Sequence, residues 1–160
     1  SFDVVSTVDM QEVDNAYQQA RKELSQRYDL KDSGAEITLD KAGKSLTVAA
    51  PAEFVAKQVI DVIGSKLIKR GIDLTAVKWG DAQPATGQSV RVSASIVDGI
   101  DKDTAGRINK DIKALKLKCK VQIEGDRLRV SSASRDTLQE VIAFLRDKDY
   151  GQPLQFVNYR

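Results

Sequence analysis

The side chains that could perform chemistry in this 160-residue chain are limited by its composition, which includes no histidine and a single cysteine, Cys119. Without histidine, a Ser-His-Asp triad, a Cys-His dyad and a histidine-ligated zinc site are impossible. One cysteine excludes an internal disulfide, a CxxC redox pair and a cysteine metal cluster. No pair of carboxylates stands at a spacing diagnostic of acid–base catalysis. We therefore predict no catalytic residues, no metal and no cofactor, and we interpret Cys119 as an inert core residue.

The only tryptophan, Trp79, is the side chain best suited to hold a ligand by stacking. It ends a predicted strand beside Lys78, and Lys69 and Arg70 precede it at the end of a predicted helix. An indole ring stacks on a purine base, and nearby cations bind phosphates. The alternative interpretation is a half-buried anchor at the joint between the two halves of the chain, and both interpretations stay open at this point.

The second half of the chain concentrates positive charge. Six basic residues and one acid, Asp111, lie between Arg107 and Lys120, although the net charge of the chain is only +2. Alternation along the predicted strands places a set of cations on the open face of a sheet, namely Arg91, Lys116, Lys118, Lys120, Arg127 and Arg129. Such a face attracts phosphates and suggests an RNA-binding module. The alternative is a solvated helix face followed by a lysine-protected strand.

Sequence-specific reading of RNA bases is not predicted for this basic face. RNA-recognition modules stack bases on aromatic rings of their central strands. No aromatic residue lies between Gly80 and Asp136. The chain also lacks the GxxxxGK[ST] phosphate loop, the GxGxxG fingerprint and the GxxG clamp. Attraction of phosphates is therefore the chemistry that this half of the sequence supports.

An internal repeat of secondary-structure elements positions these residues. Residues 1–80 predict a strand, a helix capped by Asp9, a hairpin, a helix from Pro51 to Gly71 with Phe54 in its buried stripe, and a strand ending at Trp79. After a linker over 80–88 the same order returns, beginning with a strand Ser89–Val97 and a helix opened by Asp98 or Asp101. A hairpin follows, in which the strand Lys116–Glu124 is joined to a second strand by a Gly125-Asp126 turn. A helix capped by Ser134 and a strand Pro153–Asn158 complete the second half.

Each half of the chain thus follows the order β-α-β-β-α-β. This order predicts the α+β class, with two tandem ferredoxin-like domains whose antiparallel sheets carry their helices on one face. Each sheet then has one buried and one open face. Because halves of about 75–80 residues are marginal on their own, we expect them to share an interface or to exchange elements.

Several segments together carry a resemblance to a known family. They are Ser1–Ser6 (SFDVVS), Arg27-Tyr28-Asp29, Ile68–Ile72 (IKRGI), Lys118–Arg129 (KCKVQIEGDRLR), Ser134–Asp136 with Leu138-Gln139, and Gly151–Phe156 (GQPLQF). Over nearly its whole length the sequence resembles the YajQ family of small bacterial nucleotide-binding proteins. It departs from the family at Leu30–Asp32, where Phe-Arg-Gly is frequent, and at Ser131–Ala133, where Thr-Gly-Lys is frequent.

The resemblance implies a domain arrangement in which the two halves exchange their first strands. The first domain would then cover residues 9–97 and include the strand 89–97, and the second would combine residues 1–8 with 98–160. Arg91 would belong to the first domain, near the joint. The predicted nucleotide-binding residues are accordingly Lys69, Arg70, Lys78, Trp79 and Arg91.

The resemblance also implies ligands, because members of the family look like binders of cyclic di-GMP, GTP or tRNA, some of them acting through a transcription regulator. We hypothesise a non-enzymatic receptor for cyclic di-GMP or another guanine nucleotide. The alternative is an RNA- or tRNA-binding protein that uses Lys116, Lys118, Lys120, Arg127 and Arg129. No signal segment opens the chain and no apolar run is long enough to span a bilayer, so we expect a cytoplasmic protein without a membrane partner.

Overall fold

The computed structural model describes all residues of the chain, Ser1–Arg160, and divides them into two compact units. The central unit is the middle of the sequence, Val8–Val97, and the terminal unit combines Ser1–Thr7 with Asp98–Arg160. Each unit contains two helices and one antiparallel sheet, and this confirms the predicted α+β class with two ferredoxin-like units. No helix has the length and apolar character needed to cross a membrane.

The chain opens with β1 (Phe2–Val5), which joins the sheet of the terminal unit. The central unit follows with α1 (Met10–Gln26), β2 (Glu36–Asp40), β3 (Ser45–Ala50), α2 (Glu53–Lys69), β4 (Val77–Trp79), β5 (Gln83–Pro84) and β6 (Val90–Ile96). Its strands lie in the order β2-β3-β6-β4, and the short β5 also pairs with β6. The segment predicted as a linker over 80–88 therefore contains a strand, because Gln83 lies opposite Arg91 on β6.

The terminal unit is completed by five elements after the central unit. They are α3 (Lys102–Ala114), β7 (Lys120–Glu124), β8 (Arg127–Ser131), α4 (Arg135–Arg146) and β9 (Gln155–Val157). The strand order is β7-β8-β1-β9, so β1 lies between β8 and β9 and bonds to both. The first strand of the chain is therefore held in place by residues more than a hundred positions away.

Local sequence signals fix where several elements begin and end. The Asp9 carboxylate accepts a hydrogen bond from the Gln11 amide at 3.0 Å and so caps α1. Asp101 caps α3 by accepting from the Thr104 amide at 2.7 Å, which decides between the two predicted starts of this helix. Gly125 has a φ of 62° in the two-residue turn between β7 and β8, a backbone conformation that glycine adopts without strain.

The core of the central unit forms where the helices cover one face of the sheet. Along β6, Val92, Ala94 and Ile96 are buried and the residues between them are exposed. They pack with the buried stripes of α1 and α2 in one apolar cluster. Each fully buried Val, Leu or Ile side chain contributes about 1.5–3 kcal/mol. The opposite face of the sheet stays open.

The terminal unit has a second apolar cluster around β1. Phe2 and Val4 are fully buried, and the Phe2 ring meets the ring of Phe156 edge to face at 6.0 Å between centroids. Leu128 and Val130 on β8 lie opposite Val4 and Phe2. The first strand of the chain is thus a central part of this core.

Two sequence predictions about individual elements are wrong. The strand predicted from Lys116 begins only at Lys120, because α3 is followed by a turn in which Lys116 has a φ of 55°. Phe54, predicted within the buried stripe of the second helix, is 69% exposed. It is the second residue of α2, and the buried residues of the helix begin at Val55.

Truncation of Phe2 tests the role of β1 in the terminal core. We expect Phe2→Ala to lower the free energy of unfolding by about 3–5 kcal/mol, since it removes a fully buried aromatic ring. The matched control Phe54→Ala removes an exposed ring and should change this free energy by less than about 0.5 kcal/mol. Urea unfolding followed by circular dichroism measures both. Equal losses for the two variants would contradict the assignment of Phe2 to the core.

Candidate functional site

The register of β4 against β6 decides which way the predicted ligand-binding residues face. Trp79 lies opposite Ala94, which is on the helix-covered face, and Lys78 lies opposite Ser95, which is exposed. Successive side chains of a strand point to opposite faces. Trp79 therefore projects towards the helices and Lys78 towards the open face. Because Arg91 alternates with Val92, it also lies on the open face.

Trp79 lines a groove between β4 and one side of α2, which we call the Trp79 groove. Its volume is about 520 Å³. Most of its wall is apolar and consists of Ile60, Leu67, Ile68, Leu74, Val77 and Trp79. Gly64 also lines the groove, and a Cβ there would stand 3.6 Å from a methyl of Leu74. The absence of a side chain at this position keeps the groove open between the helix and Leu74.

Three polar side chains stand along α2 in the wall of the Trp79 groove, namely Asp61, Ser65 and Lys69. Their spacing of four residues places them on one side of the helix. The groove therefore combines a flat aromatic ring with a carboxylate, a hydroxyl and an ammonium group. Ile68 is 60% exposed, so a large apolar area lies open to solvent beside these polar groups.

The five residues predicted to bind a nucleotide do not form one cluster. Trp79 and Lys69 line the groove together. Arg70 ends α2 and lies 3.7 Å from the Glu12 carboxylate of α1, measured from Nη1 to Oε2. Lys78 and Arg91 are exposed on the opposite side of the sheet. Lys69, Arg70, Lys78 and Trp79 were grouped by proximity along the chain, and Arg91 joined them through the strand exchange that the resemblance implies. Neither criterion separates the two faces of the sheet.

The open face of the terminal sheet carries a buried acid that the charge pattern did not reveal. Asp3 on β1 is only 2% exposed. It accepts hydrogen bonds from Asn158 Nδ2 at 2.8 Å and from Arg129 Nε at 3.1 Å, and Arg127 Nη1 lies at 3.6 Å. The hydrogen bond from Asn158 and the charge of Arg129 hold the pKa of the Asp3 carboxyl below its ordinary value of 3.8.

Asp3 alters the predicted basic face. Arg127 and Arg129 both point at this carboxylate, and Arg129 is also 3.9 Å from Glu124. Lys116 and Lys118 are exposed but lie before β7 rather than on it. Of the five predicted cations, only Lys120 on β7 remains an unpaired charge on the open sheet. The sequence did contain an indication of this acid. Asp3 stands between Phe2 and Val4 in a predicted strand, and strand alternation places it on the open face of the sheet.

The Arg27-Tyr28-Asp29 motif and Cys119 both make contacts that are typical of structural residues. Arg27 Nε forms an ion pair with Asp29 Oδ1 at 2.8 Å. The two charged residues of the motif thus pair with each other, as expected if their role is structural. Cys119 is partly buried against the terminal core, and burial raises the pKa of its thiol. A protonated thiol is a poor nucleophile, as expected of a packing residue.

The fold and the groove define a two-unit α+β protein with ferredoxin-like sheets and an aromatic-lined groove in its central unit. The family model described as "Nucleotide-binding protein YajQ-like" matches residues 1–160, and the chain belongs to this family. A protein of Geotalea uraniireducens (strain Rf4) named "Nucleotide-binding protein" is 48% identical over 160 residues, which are 100% of this chain and 98% of the relative.

Other bacteria carry similar proteins. A "Nucleotide-binding protein" of Chloroherpeton thalassium (strain ATCC 35110 / GB-78) is 46% identical over 100% of this chain and 97% of its own length. "Nucleotide-binding protein BCB4264_A1213" of Bacillus cereus (strain B4264) is 46% identical over the same shares. These full-length matches confirm the resemblance that the sequence motifs indicated.

Removal of the Asp3 charge tests the ionic cluster on the terminal sheet. We expect Asp3→Asn to lower the free energy of unfolding at pH 7 by about 1–3 kcal/mol, because two arginines and an amide lose their charged acceptor. The control Asp126→Asn, whose carboxylate is largely exposed and 4.0 Å from Arg127, should cost less than about 0.5 kcal/mol. Urea unfolding measures both losses, and equal losses would contradict the ionic cluster.

The pH dependence of the Asp3→Asn effect follows from the direction of the pKa shift. A lowered folded-state pKa means that the carboxylate stabilises the protein fully above its unfolded-state pKa, near the ordinary value of 3.8. This contribution is lost as pH falls through the lower folded-state pKa. The difference in stability between wild type and Asp3→Asn should therefore shrink on acidification below that range. A difference that grows on acidification would contradict the cluster as described.

Proposed function

We propose that this protein is a non-enzymatic receptor for a guanine nucleotide, with cyclic di-GMP as its ligand and a guanine of that ligand in the Trp79 groove. The observation that carries the proposal is the combination of an indole ring, a carboxylate and an ammonium group in one open groove of the central unit. The names of the relatives support a nucleotide as the ligand class. The volume of about 520 Å³ falls within the range of ligand pockets.

The indole ring, the carboxylate and the ammonium group of the groove each have a separate task in this proposal. The guanine base stacks on the Trp79 ring, an interaction that contributes about 1–3 kcal/mol. Asp61 accepts hydrogen bonds from the N1 and N2 donors of guanine, which adenine does not offer in that arrangement. Lys69 binds a phosphate at the carboxyl end of α2. A guanine base is therefore preferred to adenine through the carboxylate of Asp61.

A dinucleotide fits the position of the groove at the edge of the sheet. β4 is an edge strand, bonded only to β6. Lys78 leaves this strand on the opposite face from Trp79. A ligand that overlaps the strand edge brings a second phosphate within reach of the Lys78 ammonium. Cyclic di-GMP offers two guanines and two phosphates for such an arrangement.

The bound ligand would act by covering apolar surface. Ile68 and Leu74 are both exposed beside Trp79. A ligand in the groove removes these side chains from the surface that a protein partner can contact. A partner such as a transcription regulator would then distinguish the free from the bound protein, as a differential affinity requires. We place this signalling role in the cytoplasm.

Binding of cyclic di-GMP can be measured with the single tryptophan as its own probe. We expect titration to quench the Trp79 fluorescence, and calorimetry at about 0.15 M salt to give saturable binding. Trp79→Leu keeps an apolar side chain but removes the flat ring, and should weaken binding by about 5- to 100-fold. Lys69→Ala should also weaken binding, and the control Lys22→Ala, on an exposed part of α1, should not.

Two controls test the base preference and the absence of turnover. Asp61→Asn should reduce the preference for cyclic di-GMP over cyclic di-AMP, because the carboxylate is the guanine-specific acceptor. Chromatography of the ligand after incubation should return it unchanged, as expected of a receptor. Binding that Trp79→Leu leaves intact in a folded variant would refute the site, and hydrolysis of the ligand would refute the non-enzymatic role.

A second candidate function, binding of RNA or tRNA, is favoured by one specific observation. Five exposed lysines run from α3 through the following turn to β7, namely Lys110, Lys113, Lys116, Lys118 and Lys120. The ion pairs in this part of the terminal unit involve other cations, Arg127, Arg129 and Lys148. The five ammonium groups therefore remain available to phosphates, and each phosphate contact would release condensed counterions.

The salt dependence of RNA affinity tests this second candidate. If these lysines bind phosphates, Lys118→Ala combined with Lys120→Ala should reduce the slope of log K against log salt by about 1.4–1.8. Filter binding of a tRNA over a range of salt concentrations gives the slope. The control pair Lys22→Ala with Lys57→Ala removes equal charge from the central unit and should leave the slope unchanged. An affinity insensitive to salt would exclude this mode of binding.

A further inference from the structure

β7 presents an unpaired strand edge to solvent. It is the outermost strand in the order β7-β8-β1-β9. Lys120, Gln122, Ile123 and Glu124 on this strand are exposed, and the apolar Ile123 is 45% exposed. An exposed edge with an apolar side chain is a template for pairing with another strand. The order of residues along β7 indicates which strand that is.

The free hydrogen-bonding groups of β7 can be assigned from its hairpin with β8. The loop between the two strands is the pair Gly125–Asp126. In a hairpin with a two-residue loop, the flanking residues exchange both of their backbone hydrogen bonds, and every second pair then does the same. Glu124 and Arg127 are this first pair. The N–H and C=O groups of Val121 and Ile123 consequently point away from β8, to the free edge.

The sequence of β7 is complementary to itself when two copies run antiparallel. A two-fold axis at Gln122 places Lys120 of one copy opposite Glu124 of the other, at both ends of the strand. The same axis places Val121 opposite Ile123. These are the residues whose backbone groups are free, so each such pair forms two hydrogen bonds across the edge. Lys120 and Glu124 then form the closer, non-hydrogen-bonded pairs, in which side-chain charges interact most strongly.

We propose that this protein forms a homodimer through β7, in which the sheets of two terminal units join into one eight-stranded antiparallel sheet. The occupant of the edge is a second copy of the chain, because hydrogen-bonding register, charge and apolar contact all agree at one two-fold axis. Such an isologous contact closes on itself and adds no further copies. A strand of five residues buries little surface, so the dimer forms with modest affinity.

The other strand edges lack this complementarity. β2 is the corresponding edge of the central sheet and has the sequence Glu-Ile-Thr-Leu-Asp. A two-fold axis at Thr38 would place Glu36 opposite Asp40, and like charges directly opposite one another are destabilising. The edge strands β4 and β9 have three residues each. Self-pairing is therefore specific to β7.

Charge reversal and charge swap test the dimer. Sedimentation of the wild type over a range of concentrations should show a reversible shift from the 17.6 kDa chain to twice that mass. Lys120→Glu alone and Glu124→Lys alone each create two like-charge pairs and should raise the dimer dissociation constant by about tenfold or more. The double variant Lys120→Glu/Glu124→Lys restores opposite charges and should recover the wild-type constant. The controls Lys22→Glu and Glu36→Lys, both in the central unit, should leave it unchanged.

A measurement on the backbone locates the contact independently of the charges. Hydrogen exchange of the Val121 and Ile123 amides should slow as the protein concentration rises, because these donors become bonded only in the dimer. Ile123→Pro removes one of these donors without removing a bond to β8 and should abolish dimerisation in a protein that melts as the wild type does. The proposal is overturned by a wild type that stays monomeric at all concentrations, by a dimer that both charge reversals leave intact, or by exchange that does not depend on concentration.

Discussion

Both sheets are covered by helices on one face only, and this constraint governs every site in the protein. A strand residue has to match the face of its neighbour across the ladder, so the register against a buried residue decides where each side chain points. Trp79 lies opposite buried Ala94 and therefore faces the helices. Asp3 lies opposite Arg129 and therefore faces the open side. A shift of one residue in either strand would send its side chains to the opposite face.

The same constraint separates the cations of the terminal unit into those that are paired with an acid and those that are not. β1 brings Asp3 onto the open face between β8 and β9, where the carboxylate holds two arginines and the amide of Asn158. The lysines before β7 have no comparable acid beside them. Cations of similar appearance in the sequence therefore have different roles: Arg127 and Arg129 hold β1 in the sheet, and the lysines remain available to an external anion.

The groove in the central unit and the edge of β7 are both places where the fold leaves a surface incomplete. Most of the residues that α2 contributes to the groove lie beside its buried stripe, and one of them, Gly64, has no side chain with which to fill the space. The edge of β7 keeps backbone groups without internal partners. An apolar groove with a few polar groups is the kind of surface that binds a small molecule, and a strand edge is the kind that binds another strand.

The amino-acid sequence by itself determined the fold class, the order of elements and the family. Strand alternation and helix periodicity are local signals that both halves repeat in the same order, and the Gly125-Asp126 turn is a further local signal in the second half. The exclusion of histidine and disulfide chemistry also followed from composition. The sequence placed the end of β7 correctly at Glu124 but not its beginning. Polar and apolar residues alternate from Lys116 onwards, but residues 116–119 lie in the connection between α3 and β7 rather than in the strand.

Only the tertiary structure decided which residues meet. The sequence grouped Lys69, Arg70, Lys78, Trp79 and Arg91, but strand register sends Lys78 and Arg91 to one face and Trp79 to the other, and Arg70 turns to Glu12. Asp61 and Ser65 were missed because they lie outside the buried stripe of α2. The sequence does not show that β4 packs beside this side of the helix and turns it into the wall of a groove. Asp3 and Arg129 are separated by 126 positions, and pairing at that distance depends on sheet order. Periodicity shows which face of an element is buried, but not which element lies next to it.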